Sequence, residues 1–435
     1  MTITFIGHGY VGLVSAAVFA DLGNTVWVVG HTPEKINNLK NGILPIYEPG
    51  LEEIVKRNIA AGRLRFTLDY SPAISESEVI FTAVGTPPTP TGEADLRVVF
   101  SVAEEIGKHL EGYTVVITKS TVPVGTNRKI REVIAKVKPA DAEFDMASCP
   151  EFLREGQAIG DTLHPDRVVI GTDSEKARKI LLELHKPITE GNGGQVVNTT
   201  IETAEMIKYA SNAFLATKIS FANAIAILSE KVGANGPDVL EAVGLDKRVG
   251  KAFLNAGAGY GGSCFPKDVK ALIAIAKENG YDFELLRAVE SINHEAMEQV
   301  AKKAKKLLGE IHGKKVAVLG LSFKPDTDDM RDASSRVVIP ELLKEEATVV
   351  AYDPIAMNNA KKLPEFEGLM YAENPYEAAS DADLVIVMTE WNEFKQLDIE
   401  KLRSVMKSAH MIDGRNIYNP TDMKTAGFTY LGVGR

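Results

Sequence analysis

Only two cysteines occur in the 435 residues, and one of them lies in "GGSCFPKD" (261–268). A thiol followed by a lysine three positions on and an aspartate four on has the parts of an activated nucleophile. Lys267 favours a thiolate at Cys264 electrostatically, and Asp268 can act as a base or orient a water. The glycines before Cys264 clear side chains from around the sulfur and let a ligand come close. A buried structural cysteine is the ordinary alternative for a lone thiol, and Cys149, which lacks such neighbours, is read as one. In "IKYASN" Lys208 and Asn212 are four apart, so on a helix both side chains point the same way. A lysine in so apolar a segment must meet an anion, and stabilising a developing oxyanion is one such use. "CPEFLREG" (149–156) sets Glu151 and Glu155 four apart, on one face if helical, with Arg154 between them. Two carboxylates and an arginine could hold a polar substrate and manage a proton, or simply line a solvated helix face. Thr121 in "KSTVPVGT" could place a water or a substrate oxygen, or cap a helix.

A second group of residues points to a dinucleotide. "GHGYVG" (7–12) is G-x-G-x-x-G directly after a strand-like run and before a helical one. Gly7 permits the tight turn, Gly9 lets a pyrophosphate approach, and Gly12 allows close helix–strand packing, with Tyr10 and Val11 opening the helix. The acidic residue expected about 20 residues on, to hold the ribose 2′-hydroxyl, is missing. Gly30, His31 and Thr32 stand there, with Lys35 nearby. NAD is the cofactor read from this turn, and NADP stays open at this site. "AVGTPPTPTG" (83–92), carrying Thr86, is too proline-rich to be helical and suits a loop against the cofactor. A nicotinamide cofactor and a nucleophilic thiol together suggest oxidation through a thiohemiacetal and a thioester.

These residues need a frame. "TITFIG" (2–7), "TVWVVG" (25–30), "EVIFTAVG" (78–85) and "TVVITKST" (114–121) read as buried parallel strands alternating with helical segments, which is a doubly wound α/β sheet. Residues 201–232 contain no Gly or Pro and predict one helix about 48 Å long, apolar on more than one face and so buried on several sides, as a spine between two domains that also packs against a partner subunit would be. The pattern then restarts with "KKVAVLGLSF" (314–323), "ATVVAYDP" (347–354), "ADLVIVMTEW" (382–391) and "HMIDGRN" (410–416). The predicted architecture is an α/β domain, a helical centre and a second α/β domain. A net charge of −10 argues against nucleic acid or an anionic membrane as partner. The N-terminus lacks the basic run of a signal peptide, and no apolar run approaches membrane-spanning length. The reading is a cytoplasmic chain with reduced thiols and no metal site.

In order along the chain, "GHGYVGL", "PIYEPGLEE" (45–53), "STVPVGT", "PEFLREG", "AEMIKYASNAFLA", "GYGGSCFPKD", "GLSFKPDTDDMRD" and "TEWNEF" resemble the UDP-glucose/GDP-mannose dehydrogenase family. The resemblance implies two Rossmann-like domains joined by a long central helix. It implies an NAD-binding part over 1–198, a central dimerisation region with the cysteine loop over 199–308, and a UDP-binding part over 309–435. "GGSCFPKD" and "TEWNEF" favour UDP-glucose as substrate, with four-electron oxidation of its C6 alcohol to the carboxylate of UDP-glucuronate. The family pattern would make Cys264 the nucleophile with Asp268 beside it. Thr121 and Glu155 would position water, and Lys208 and Asn212 would stabilise the oxyanion. Substrate contacts would come from Glu151, Phe152, Leu153, Arg154, Glu155, Lys208, Asn212, Phe253, Leu254, Asn255, Ala256, Gly257, Gly261 and Lys324. Arg248 would reach a neighbouring subunit's substrate, which implies a homodimer. Cofactor contacts would come from Gly7, Gly9, Tyr10, Val11, Gly12, Gly30, Lys35, Thr86, Thr121, Glu155, Lys267 and Arg331. Gly30 departs from the family's usual aspartate.

Overall fold

The structure, a computed structural model, describes residues 1–191 and 194–435. The chain divides into two compact units, Met1–Ser211 with Lys270–Ile275, and Asn212–Val269 with Ala276–Arg435.

The first unit is built on an eight-stranded sheet of order β3-β2-β1-β4-β5-β6-β7-β8. Its strands are β1 (Thr2–Ile6), β2 (Thr25–Val29), β3 (Leu64–Thr67), β4 (Val79–Thr82), β5 (Tyr113–Thr118), β6 (Glu143–Ser148), β7 (Arg167–Gly171) and β8 (Gln195–Thr199). Every ladder is parallel except the single Ser148–Gly171 pair joining β6 to β7. Helices cover both faces, so central strands such as "VIFT" of β4 are buried throughout and read as unbroken apolar runs. Helix α1 (Tyr10–Asp21) follows β1, and α2 (Pro33–Lys40) follows β2. The order reverses between β1 and β4, which leaves a crevice at their carboxyl ends, the position where open α/β sheets bind ligands.

The second unit repeats the scheme with a six-stranded parallel sheet of order β11-β10-β9-β12-β13-β14. These strands are β9 (Lys315–Leu319), β10 (Thr348–Tyr352), β11 (Met370–Tyr371), β12 (Leu384–Val387), β13 (His410–Asp413) and β14 (Thr429–Leu431). The doubly wound α/β fold expected from the sequence is therefore present in both units. Of the strands the alternation did not predict, β3, β8, β11 and β14 lie at sheet edges and "LRFT", "EFDMAS" and "MY" carry too little apolar signal to stand out, whereas β7, "RVVIG", is a buried apolar strand inside the sheet that was missed.

A spine helix, Ile201–Val232, is continuous along the stretch predicted as one helix. One expectation about it is corrected. It is long and apolar enough, by length and composition, to cross a membrane. Counting unbroken apolar runs misses this, because its alanines and sparse polar residues keep the charge low. Within the single chain Phe214, Phe221, Leu228 and Val232 of this helix are 50–68% exposed. Asn223 Nδ2 is buried without a hydrogen-bond partner among the described residues, whereas buried acceptors on the helix are satisfied by protein groups. Glu205 accepts from the amides of Gly125 and Asn127, and Asn223 accepts from the amide of Gly257.

Candidate active site

In the first unit the glycine turn has the form a dinucleotide requires. Gly7 sits at φ +117°, where a Cβ would meet Ala83 O at 2.4 Å, and a Cβ on Gly12 would meet Gly7 O at 2.1 Å. Both glycines are demanded by the protein's own packing. Gly9 differs: a Cβ there meets nothing within 4 Å. It is the N-cap of α1 and makes no side-chain cap. What a side chain at residue 9 would obstruct is therefore an approaching ligand, and a pyrophosphate at a helix N-terminus fits that space and polarity. Val11 is half-buried on α1. At the neighbouring strand ends, buried Thr86 donates its hydroxyl to Thr121 O at 2.8 Å, tying the loops after β4 and β5 together. Gly30 follows β2, and Lys35 is exposed on α2.

The segment carrying Glu151 and Glu155 is not helical; residues 151–154 are irregular and 155–156 form a turn. The common helix face suggested by their spacing is thus absent. The short backbone hydrogen bonds that would build it are replaced by side-chain bonds. Leu153 N donates to Glu151 Oε2 at 2.6 Å, and Arg154 forks onto Asp161 at 2.6 and 3.0 Å. Glu151 and Lys208 are both buried and pair at 2.9 Å. Burial opposes charge on Glu151, but the Lys208 ammonium outweighs it and holds the carboxyl below its ordinary range. The ammonium also lies 5.4 Å from the centre of the Phe152 ring, whose other neighbour is Arg167 at 3.8 Å. Lys208 thus meets the anion its apolar surroundings demanded.

A residue with no assigned role in the sequence reading organises this region. Glu48 of "PIYEPGLEE" is buried and bonds the Tyr10 hydroxyl. It also accepts from Gly156 N at 2.6 Å and Ala158 N at 2.7 Å, while Gly156 N lies 2.7 Å from the Tyr10 hydroxyl. One carboxylate therefore fixes the loop after Glu155 against the glycine turn.

In the second unit Cys264 immediately precedes the helix Phe265–Glu278, and Asp268 N donates to Cys264 O at 3.0 Å. The sulfur therefore stands at a helix N-terminus, which favours negative charge there. Ser263 Oγ is 3.5 Å from the sulfur. Asp268 is fully buried, its Oδ2 accepting from Asn212 Nδ2 at 2.6 Å and its Oδ1 from Lys267 Nζ at 2.5 Å. Three of the sequence-selected residues, Asn212, Lys267 and Asp268, thus form one hydrogen-bonded chain. Cys149, by contrast, is buried in the first unit and its thiol is pushed up to about 12 by desolvation.

The approach to Cys264 is packed backbone on backbone. A Cβ on Gly261 would meet Asp332 O at 2.1 Å, and one on Gly262 would meet the Phe323 ring at 2.7 Å. Leu254, Ala256 and Gly257 are buried while Asn255 is exposed, and Phe253 takes a left-handed φ of 62°. Phe253 packs edge-on against Phe265 with ring centres 6.1 Å apart. Lys324 is half-buried, with its ammonium 5.5 Å from the Phe323 ring centre. Arg331 and Arg248 are exposed and fork onto Asp329 and Asp246 respectively. Among the described residues no group of three or more His, Cys, Asp or Glu side chains is placed to hold a metal.

Three domain patterns of the UDP-glucose/GDP-mannose dehydrogenase family match in order: its NAD binding domain over residues 1–189, its central domain over 202–295 and its UDP binding domain over 317–420. The chain belongs to the UDP-glucose/GDP-mannose dehydrogenase family. It is 48% identical to the UDP-glucose 6-dehydrogenase of Rhizobium meliloti, with all of both chains covered. It is 47% identical to UDP-glucose 6-dehydrogenase TuaD of Bacillus subtilis, covering all of this chain and 93% of that one. In structure it is similar to a UDP-glucose dehydrogenase from the archaeon Pyrobaculum islandicum. There the TM-score is 0.91, the identity 37%, and 99% and 97% of the two chains are covered. A UDP-D-ManNAc dehydrogenase from Pyrococcus horikoshii matches at TM-score 0.85 and 26% identity over 100% and 99% of the chains. Membership of the family places the NAD-binding function on the unit that carries the glycine turn.

Proposed function

We propose that the chain is an NAD-dependent UDP-glucose 6-dehydrogenase, oxidising the C6 alcohol of UDP-glucose to the carboxylate of UDP-glucuronate. The observation that carries the chemistry is Cys264 at a helix N-terminus, with Asp268 one turn on and held by Asn212 and Lys267. Full-length identity of 48% to a UDP-glucose 6-dehydrogenase supports this substrate over other nucleotide sugars, since the UDP-D-ManNAc dehydrogenase stands at 26%.

NAD, held at the glycine turn, supplies the hydride acceptor for both two-electron oxidations. The residues of the chain do the rest. Once C6 is an aldehyde, the Cys264 thiolate adds to the carbonyl carbon and leaves an oxyanion. Lys208 and Asn212 stabilise that charge by ammonium and amide donation. Loss of the second hydride turns the adduct into a thioester. Water, positioned by Thr121 and Glu155 and deprotonated with the help of Asp268, then attacks the acyl carbon. The thiolate leaves and the carboxylate is released. Glu151, Phe152, Leu153 and Arg154, the 253–257 segment, Gly261 and Lys324 hold the sugar nucleotide. The parts 1–198, 199–308 and 309–435 serve NAD, the thiol with dimerisation, and UDP.

The exposed heptad of Phe214, Phe221 and Leu228 on the spine helix supports a homodimer, with Arg248 reaching the neighbouring subunit's substrate. Neither Cys149 nor Cys264 forms a disulfide among the described residues, which suits a cytoplasmic setting. The direct test is incubation with NAD and each of UDP-glucose, UDP-N-acetylmannosamine and GDP-mannose while following the absorbance of reduced cofactor. UDP-glucose is the expected substrate; oxidation of GDP-mannose without UDP-glucose would overturn the assignment.

A further inference from the structure

The strand end after β2 is built differently from an NAD-selective one. There an acidic side chain would hold the ribose 2′-hydroxyl and repel a 2′-phosphate. Gly30 occupies the position, and the surroundings leave little room for a side chain. A Cβ would lie 2.5 Å from Ile36 Cδ1 and 2.7 Å from His8 Nδ1. His8 is 6% exposed, and its Nδ1 is buried with no hydrogen-bond partner among the described residues. A buried, unsatisfied ring nitrogen facing this turn is a group that a ligand would complete. The ring centre of His31 lies 5.2 Å from that of His8. Lys35 is exposed in the first turn of α2, close enough for its charge to act on the His8 ring together with His31. Burial, reinforced by those neighbours, holds His8 below its ordinary range and so in the neutral form. Thr32, the N-cap of α2, makes no side-chain cap, so its hydroxyl is not committed to the helix. The acidic residue in this stretch is Glu34, exposed beside Lys35. The strand end thus offers an ammonium, imidazole nitrogens and a hydroxyl, where a selective NAD site offers a carboxylate.

We propose that this turn accepts a 2′-phosphorylated dinucleotide, so that the cradle binds NADP as well as NAD, with Lys35, His31 and Thr32 as the phosphate-holding groups and His8 as the wall behind them. The inference rests on the reading of the glycine turn as the cofactor cradle. Removing the acid abolishes repulsion, and Lys35 supplies countercharge on a flexible stem.

The test is equilibrium calorimetry on the full chain without sugar nucleotide, titrating NAD, NADP and adenosine 2′,5′-bisphosphate. Wild-type protein is expected to bind all three. A variant combining His31→Ala and Thr32→Ala, neither of which is among the residues read as holding NAD, is expected to lose about tenfold or more in affinity for NADP and for the bisphosphate, the scale of one charge-assisted contact. Its NAD affinity, which also reports that the turn is folded, stays within about twofold of wild type. Undetectable NADP binding beside normal NAD binding overturns the inference alone. So does a variant that weakens both dinucleotides equally or neither. Failure of wild-type protein to bind NAD would overturn the cradle itself.

Discussion

The two sheets carry the same turn and use it in opposite ways. After β1 comes Gly7 at φ +117°, jammed against Ala83 beyond β4; after β9 comes Gly320 at φ +99°, jammed against Thr389 beyond β12. Strand order and pairing correspond, β1 lying between β2 and β4 as β9 lies between β10 and β12. The difference appears one residue past the second strand. Asp353 follows β10, is fully buried, and folds its carboxylate back into the turn. Its Oδ2 accepts from Leu321 N at 2.8 Å, Ser322 N at 3.1 Å and Trp391 Nε1 at 3.2 Å, and its Oδ1 from Ile355 N at 2.9 Å and Ala356 N at 2.7 Å. Gly30 stands at the corresponding place in the first unit and contributes no side-chain acceptor. One turn thus satisfies its amides with a carboxylate of its own, while the other has no side-chain acceptor at that position. The same strand, glycine turn and helix are thus completed by different residues at the end of the next strand.

That contrast can be broken most violently at Asp353. Asp353→Ala leaves several buried donors without an acceptor and should destabilise the protein by about 4 kcal/mol, seen as a lowered urea midpoint. A loss under about 1 kcal/mol would mean the second turn does not depend on its internal anion. In the first unit Glu48→Ala removes the acceptor shared by Gly156, Ala158 and Tyr10. It should lower kcat/KM roughly tenfold by loosening the loop after Glu155. Glu48→Gln, which keeps one acceptor oxygen, should fall between the two, and steady-state kinetics would show the order. Gly9→Ala is a finer probe, because its methyl group touches nothing in the protein. Stability should move by less than about 0.5 kcal/mol while NAD affinity falls about tenfold; unchanged affinity by calorimetry would remove the ligand explanation for Gly9. The smallest perturbation compares the thiols. Iodoacetamide at pH 8 should label Cys264 about 100-fold faster than Cys149, whose thiol is buried and pushed up to about 12, and peptide mass spectrometry reads the ratio.

Much of this was legible in the residues. Buried parallel strands announce themselves as apolar runs, and the glycine turn and the cysteine loop are local motifs whose spacing is the signal. Groups whose partners lie far along the chain were not legible. Glu48 bonds Gly156 N, 108 positions away, and Asp353 closes a turn 32 positions earlier. In the sequence each is one acid in a loop. The common helix face of Glu151 and Glu155 failed for a related reason. Side-chain acceptors from Glu151 itself and from Asp161 capture the backbone amides of Leu153 and Arg154, so no helical turn forms there. Lys208 was the opposite case: an ammonium in an apolar helix implies an anion nearby, and Glu151 supplies it.

The central claim is that Cys264 carries the substrate through the second oxidation. It is tested most directly by mixing UDP-glucose and NAD with wild-type protein and with Cys264→Ser and quantifying reduced cofactor and UDP-glucuronate. Wild-type protein should yield two reduced cofactors per acid formed. Cys264→Ser should form acid at least about 1,000-fold more slowly, with material held at the aldehyde or as a covalent adduct on the chain. Acid production by Cys264→Ser at the wild-type rate would contradict the account.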